Sequence, residues 1–79
     1  MPYDAGTWVV LEEHWPNGKT KHKKWNDGEE HFYNEVGDLH REDGPAVFFA
    51  WNEYRYYLNG VWLKDIKSNE ELIIKLIIE

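Results

Sequence analysis

The chain has 79 residues, a net charge of −6 and no cysteine. A chain of this length forms one domain with a thin core, since it buries only about 60% of its unfolded surface. Without cysteine there are neither disulfides nor thiolate zinc sites, so the five Trp, five Tyr and three Phe must supply much of the packing. The acidic excess disfavours direct binding to nucleic acid, because the phosphates would repel it.

Composition also bears on membranes and location. No stretch reaches the roughly 20 apolar residues that cross a bilayer. The first residues lack a basic segment followed by an apolar run, so we predict no signal peptide, no membrane partner and a cytoplasmic location. Residues 19–24 depart from the acidic remainder, with four lysines and a histidine. Lysines on both faces favour an edge strand protected against aggregation, and docking on an acidic patch is the alternative.

Turn signals recur about every ten residues, which is typical of an antiparallel meander. Asn-Gly and Asp-Gly pairs favour tight turns because these residues accept positive φ. The predicted turns lie at residues 15–18, 26–28, 37–38, 52–53 and 59–60. The strands between them are predicted at residues 7–13, 19–25, 29–34, 46–51, 54–58 and 61–64. We therefore predict a mainly β fold, in which residues 7–64 form a single antiparallel meander sheet of stacked hairpins.

Residues 65–79 have a different character, and we predict a short C-terminal helix within the same single domain, residues 1–79. Ser68 and Glu71 have the spacing of a capping box at a helix start. A strand is the alternative, because isoleucine is β-branched. The apolar face of this helix either covers the sheet or forms a homodimer. The residues of that predicted oligomer face, at helical spacing, are Leu72, Ile73, Leu76 and Ile77.

The central stretch, residues 39–46, reads Leu-His-Arg-Glu-Asp-Gly-Pro-Ala and lies between aromatic strands. Together with Gly37 before it and Tyr57-Leu58-Asn59-Gly60 after it, this stretch resembles a family of short β-hairpin repeats similar to MORN repeats. The resemblance covers roughly residues 29–63. Members of the family occur mainly in small proteins of bacteriophages and large DNA viruses. The resemblance implies an antiparallel sheet of stacked hairpins, less directly a viral origin, and no catalytic residue.

Three residues of the central stretch are candidate binding residues. His40 and Arg41 would donate hydrogen bonds to an anion or partner, and Asp43 would orient them. Alternatively, the acidic residues hold the turn by local hydrogen bonds while Arg41 pairs with a neighbouring carboxylate. The motif favours the second interpretation, because its specificity is for a fold rather than for a reaction.

Catalytic and metal chemistry have little support in the sequence. The four histidines lie on four different segments, without the His-x-His or His-x-x-x-His spacing that would favour a metal site. There is no cysteine, and the one serine, Ser68, is assigned to the helix cap. We therefore predict neither an enzyme nor a metal or cofactor site.

Aromatic residues are predicted on both faces of the sheet. Strand alternation directs Tyr54 and Tyr56 to one face and Tyr57 to the other, and Trp51 ends the preceding strand. One short helix covers only one face, so these four residues are predicted to form a binding or oligomer face. The alternative is that the rings cover one another across strands as surface ladders.

These observations lead to a functional hypothesis. The chain is predicted to be a small acidic protein-interaction module whose ring face, rimmed by Glu53, Asp38 and Glu42, meets a basic surface of another protein. If the viral resemblance holds, that partner is a host protein in the host cytoplasm, such as a component of antiviral defence, and the chain is its inhibitor. The alternatives are a nucleotide-sequestering binder, in which rings stack on a base while Arg41 or the lysine segment holds phosphate, and a structural repeat module.

Overall fold

The computed structural model describes residues 6–78. Residues 1–5, on which the signal-peptide prediction rests, and Glu79 lie outside the described range. The molecule measures 50 × 31 × 15 Å along its principal axes. Its smallest dimension is therefore close to that of one sheet with a single layer of side chains or helix against it.

The described residues form a meander followed by one helix. The elements are β1 (Val9–His14), β2 (Thr20–Trp25), β3 (Glu30–Phe32), β4 (Val47–Phe48), β5 (Tyr54–Arg55), β6 (Tyr57–Leu58), β7 (Val61–Trp62) and α1 (Asn69–Ile78). Strands β1 to β5 form an antiparallel sheet in chain order, and β6 pairs with β7 in a second ladder. The predicted fold class, mainly β with a short C-terminal helix, is confirmed.

The prediction of one continuous strand at residues 54–58 is wrong in detail. Its first half, β5, pairs with β4, whereas its second half belongs to the β6–β7 ladder. The division arises because residues 39–41 run beside β6: the Arg41 amide donates to the Tyr57 carbonyl (3.2 Å), and the Gly60 amide donates to the Leu39 carbonyl (2.8 Å). The central stretch thus separates two neighbouring ladders, and the predicted single sheet becomes a five-stranded sheet and a hairpin.

Turns lie at or beside all five predicted positions, but two begin earlier than predicted, at Asn34 and Phe49. The strand predicted at residues 46–51 therefore ends at Phe48, and Trp51 lies in a turn. Four of the turns share one geometry. In each, the first residue donates its amide to the carbonyl four residues later at 2.7–2.9 Å, and its own carbonyl accepts from the amide three residues later. The fourth residue of each turn has a positive φ, as in a type I turn followed by a bulge. These fourth residues are Gly18, Gly28, Gly37 and Asn52, with φ of 90°, 99°, 101° and 69°.

The fifth turn, between β6 and β7, is a two-residue turn at Asn59 and Gly60. Both residues have positive φ, 50° and 83°, which is the type I′ conformation that Asn-Gly favours. This turn is one that the sequence predicts from its residue types alone.

The helix begins at the predicted capping box. The Glu71 amide donates to Ser68 Oγ (3.2 Å), and Glu71 Oε1 accepts from the Lys67 amide (2.5 Å). Helix α1 then extends to Ile78, so the strand alternative for this segment is wrong. It is anchored to the sheet through Tyr56, whose hydroxyl donates to Asn69 Oδ1 at 2.8 Å.

The core of the described residues is small. Four apolar side chains are buried: Ala46, Val47, Tyr56 and Leu72. Gly44 and Pro45 are buried next to them, so the core lies around the end of the central stretch and beneath α1. By contrast, every residue of β1 is exposed.

Candidate functional site

The Arg41 side chain occupies the inside of the central stretch. Its Nε donates to Asp43 Oδ1 (2.8 Å), and Nη1 donates to the Pro45 carbonyl (3.2 Å). Its guanidinium carbon lies 4.0 Å from the centre of the Phe32 ring, a cation–π arrangement. A Cβ on Gly44 would lie 3.1 Å from the same carbon, so a side chain at that position would displace Arg41. Arg41 thus holds the loop closed.

His40 is also engaged within the chain. Its Nδ1 accepts a hydrogen bond from the Asn59 amide at 2.9 Å, so in this geometry the ring proton is on Nε2. That nitrogen lies 3.2 Å from Glu42 Oε2. Together with the Asp43–Arg41 pair, these contacts place all three candidate binding residues of the central stretch in bonds that hold the fold, as in the structural alternative.

The four aromatic candidates have different environments. Trp51 is 66% exposed and Tyr54 is 48% exposed, whereas Tyr57 is half-buried and Tyr56 is only 4% exposed. The prediction that Tyr56 belongs to an open face is therefore wrong, because its side chain is buried and its hydroxyl donates a hydrogen bond to Asn69 Oδ1 at the start of α1. The pKa of the Tyr56 hydroxyl lies above its ordinary value. Burial of the side chain is the main cause, and the nearby Tyr54 and Glu71 add smaller contributions in the same direction.

Trp51 is part of a ladder of rings and cations. Its ring stacks on Phe49 with centroids 4.8 Å apart and planes 16° apart. The Arg55 guanidinium lies 5.1 Å from the Phe49 centroid and 4.2 Å from that of Trp62. The Lys64 ammonium lies 5.3 Å from the Trp62 ring. This part of the surface agrees with the alternative in which exposed rings partly cover one another.

Glu53 lies at the end of this ladder. One carboxylate oxygen accepts from Trp51 Nε1 (3.0 Å), and the other lies 3.3 Å from Arg55 Nη2. The hydrogen bond from Trp51, followed by that from Arg55, holds the pKa of Glu53 below its ordinary value. Glu53, one of the three residues of the predicted acidic rim, therefore already accepts hydrogen bonds from Trp51 and Arg55.

The predicted oligomer face of the helix is divided. Leu72 is fully buried and Leu76 is half-buried, so these two residues form the inward stripe. The assignment of Leu72 to an oligomer face is wrong, because the fold itself buries its side chain. Ile73 and Ile77 are exposed, and the residues that follow each of them, Ile74 and Ile78, are exposed as well. The outward face is therefore a double row of isoleucines.

A second exposed apolar region was not predicted as a site. It comprises Trp8, Val9, Val10 and Leu11, at the start of β1. Among residues 6–78 this strand pairs only with β2, and no described strand lies along its other edge. The apolar run in the sequence indicates a strand, but the position of that strand at the sheet edge depends on tertiary pairing, which the run does not encode.

The lysine-rich segment is not an edge strand. It forms β2, which lies between β1 and β3, so that interpretation is wrong. The Lys21 and Lys23 ammoniums lie 4.9 and 5.3 Å from the Trp15 and Trp25 rings respectively. Arg41, Lys21 and Lys23 are thus engaged by contacts within the chain, whereas Lys19 and Lys24, the other two lysines of the segment, are exposed.

Each histidine lies beside a glutamate. His22, for example, lies 3.2 Å from Glu13 through Nδ1 and 2.5 Å from Glu30 through Nε2. Within residues 6–78, no group of three or more His, Asp or Glu side chains is arranged to hold a metal ion.

The Tyr33 hydroxyl lies 2.9 Å from His31 Nδ1. Burial and, to a smaller extent, the nearby Glu29 raise the pKa of this hydroxyl above its ordinary value.

Comparisons with known proteins add no relative. No family model, no curated protein and no solved structure matches the chain. In the described part of the chain, no helix is long and apolar enough to cross a membrane.

Proposed function

We propose that this chain is a small, non-enzymatic protein-interaction module. The observation that supports this most strongly is the ratio of exposed to buried apolar side chains. Among the described residues, thirteen large hydrophobic side chains are exposed, whereas only three, Val47, Tyr56 and Leu72, are buried. Contiguous apolar surface on a soluble domain marks an interaction site, because leaving it in water is unfavourable.

The exposed side chains concentrate in two patches. The β1 patch comprises Trp8, Val9, Val10 and Leu11, and the helix patch comprises Ile73, Ile74, Ile77 and Ile78. A molecule only 15 Å thick has too few layers to cover both faces of its sheet and the outside of its helix. Both patches are therefore available to a second protein.

The resemblance of the central stretch to repeats of phage and viral proteins supports a narrower proposal. In it, the module acts in the host cytoplasm as an inhibitor of a host protein, such as a component of antiviral defence. The net charge of −6 favours a partner with basic groups around its contact surface.

Affinity capture with matched variants tests the module proposal. Tagged wild-type chain and three variants, Trp8→Ser, Ile77→Glu and Val36→Ala, are incubated with bacterial lysate. Val36 is as exposed as the patch residues but lies in a turn away from both patches, so its variant is the control. We expect a partner that the wild type and Val36→Ala retain and at least one patch variant loses, with the purified pair confirmed by calorimetry. Equal recovery with all four chains, or recovery with none, would contradict the proposal.

Self-association through the helix patch is a second candidate, supported by the double row of exposed isoleucines. Two copies of α1 packed along this row would remove all four side chains from water. Light scattering of the purified chain measures its mass directly. We expect a dimer that the double variant Ile73→Glu, Ile77→Glu converts to a monomer, while Glu70→Gln leaves it intact. A wild-type monomer at the highest soluble concentration would exclude this dimer.

A further inference from the structure

Strand β5 has an open edge beside it. It is the last strand of the five-stranded sheet and pairs only with β4. The carbonyls of Glu53 and Arg55 accept amides of Phe49 and Ala46, so these residues face β4. Because neighbouring residues of a strand direct their backbone groups to opposite sides, the amide and carbonyl of Tyr54 face away from β4.

The chain comes close to filling this edge and then leaves it. The Leu63 amide donates to the Tyr56 carbonyl (2.8 Å), which continues the register of β6 and β7 by one step. In the same register Asp65 would lie opposite Tyr54. Instead the chain turns, with the Ile66 amide donating to the Leu63 carbonyl at 3.2 Å, and proceeds to α1. No strand of the described part of the chain therefore occupies the position beside Tyr54.

A groove of about 360 Å³ occupies that position. The residues that line it include three cationic ones, Arg55, Lys64 and Lys67, and the aromatic residues Tyr54 and Trp62. The one acidic residue in the lining, Glu53, is already hydrogen-bonded by Trp51 and Arg55. The volume lies at the lower end of the range for ligand sites, which suits a short stretch of chain.

The local charge of the groove is opposite to that of the protein. The chain carries −6 overall, yet three cations meet here. Among the described residues neither Lys64 nor Lys67 forms an ion pair, whereas Arg55 is paired with Glu53. Neither ammonium is thus neutralised by a carboxylate: Lys64 lies 5.3 Å from the Trp62 ring, a contact that leaves its charge able to pair with an anionic occupant, and Lys67 lines the same groove beside Tyr54.

We propose that this groove binds an acidic, extended segment of a partner protein as an added strand beside β5. The segment would exchange backbone hydrogen bonds with Tyr54 and direct carboxylates toward Lys64 and Lys67. In strand addition the backbone bonds supply affinity and the side-chain contacts supply specificity. This inference rests on the proposed function of the chain as a protein-interaction module, and it assigns the chemistry of the segment that one site would recognise.

The test uses the isotope-labelled full chain and short synthetic peptides, followed by NMR of the backbone amides. The probe is Ac-Glu-Val-Asp-Val-Glu-NH2. Its controls are the amide analogue Ac-Gln-Val-Asn-Val-Gln-NH2 and an acidic analogue whose central amides are N-methylated. We expect the probe to shift the amides of Tyr54, Lys64 and Lys67, the amide analogue to bind several-fold more weakly, and the N-methylated analogue to lose binding.

Variants of the protein test the charge contribution separately. We expect Lys64→Gln and Lys67→Gln each to lower the affinity for the acidic probe by roughly 1.5- to 5-fold, which is the range for solvent-exposed ion pairs. Lys24→Gln is the matched control, because Lys24 is an exposed lysine that lies on β2, outside the groove. Added salt should reduce binding of the probe more than binding of the amide analogue.

Four outcomes would overturn the inference. Equal affinity for acidic and amide peptides would remove the charge preference, and equal affinity for the N-methylated peptide would remove strand addition. Shifts of the same amides by inorganic phosphate at similar affinity would identify a simple anion site. Concentration-dependent shifts in both β1 and the groove without peptide would identify the occupant as β1 of a second copy. These experiments omit lysate, so their failure is distinguishable from failure of the module proposal, which depends on the two apolar patches.

Discussion

The N-terminal hairpin and the central region differ in how they are held together. Strands β1 and β2 have six residues each, the longest in the described chain, yet every residue of β1 is exposed. The central region, comprising residues 39–47 with Tyr56 and Leu72, is built on strands of two or three residues and contains all four buried apolar side chains. The longest strands are thus in one region of the molecule and the buried side chains are in the other. We expect the region with the buried side chains to contribute more to the free energy of unfolding.

The largest expected effect is that of Leu72→Ala, which would empty the centre of the core beneath α1. Truncation of a fully buried leucine costs about 2–5 kcal/mol through lost transfer energy and the cavity that remains. This is a large share of the stability of a small domain. Urea unfolding followed by tryptophan fluorescence measures it. Val36→Ala, whose side chain is 71% exposed in a turn outside both patches, is the control and should change stability by about 0.5 kcal/mol or less. Similar losses in both variants would contradict the assignment of Leu72 to the core.

Arg41→Ala tests whether the central stretch stabilises the fold. The variant loses the bonds to Asp43 and the Pro45 carbonyl and the contact with Phe32, and we expect a loss of about 1.5–3 kcal/mol, as for hydrogen bonds of a charged group. Lys24→Ala, an exposed cation of the N-terminal hairpin, is the matched control. Chemical denaturation of both variants gives the comparison. A neutral Arg41→Ala would return this residue to the set of candidate binding residues.

One glycine substitution in each region compares the N-terminal hairpin with the central region. Both Gly60 and Gly18 have positive φ, and alanine in that conformation costs roughly 1–2 kcal/mol. At Gly60 a Cβ would also lie 3.3 Å from Asp38 Cγ, whereas at Gly18 nothing lies within 4 Å. We therefore expect Gly60→Ala to lower the thermal midpoint more than Gly18→Ala. The reverse order would mean that the N-terminal turn, rather than the central region, limits stability.

The smallest effect concerns Tyr56 and pH. Its raised pKa means that the folded state holds the phenolic proton more tightly than the unfolded state does. The associated stability is therefore complete below the ordinary pKa of 10.0 and is lost as the pH rises above it. Tyr33, whose pKa is also raised, contributes with the same sign.

We expect Tyr56→Phe to cost about 0.5–1.5 kcal/mol at neutral pH, because the hydrogen bond to Asn69 is lost, and to reduce the alkaline decline. Urea midpoints measured on either side of pH 10 provide the test, with Tyr57→Phe as the control, because Tyr57 is not among the groups that raise the pKa of Tyr56. A decline of the same size in wild type and Tyr56→Phe would show that other groups cause it.

Local signals account for what the sequence predicts correctly. The turns at Gly18, Gly28 and Asn59–Gly60 and the capping box at Ser68 each depend on a few adjacent residues, and each is present. The split of residues 54–58, the burial of Tyr56 and the interior position of β2 depend on pairings between distant segments. The alternation of side chains along residues 54–58 does not specify which strand pairs with each half of that segment. Tyr56 and Leu72 are wrongly predicted as exposed for the same reason, because their burial depends on how the chain turns after Leu63 and where α1 then lies.

The separation of ladder length from burial has a kinetic consequence. Pairing of β1 with β2 closes a short loop, and hairpins of this kind form within about 1–10 μs. The bond from Gly60 to Leu39 joins residues twenty-one positions apart, and Leu72 must reach the core from still farther along the chain. The entropy of closing these longer loops is lost before any burial compensates for it. Assembly of the central region is therefore expected to be the rate-limiting step of folding, and substitutions at β1 should leave the refolding rate almost unchanged.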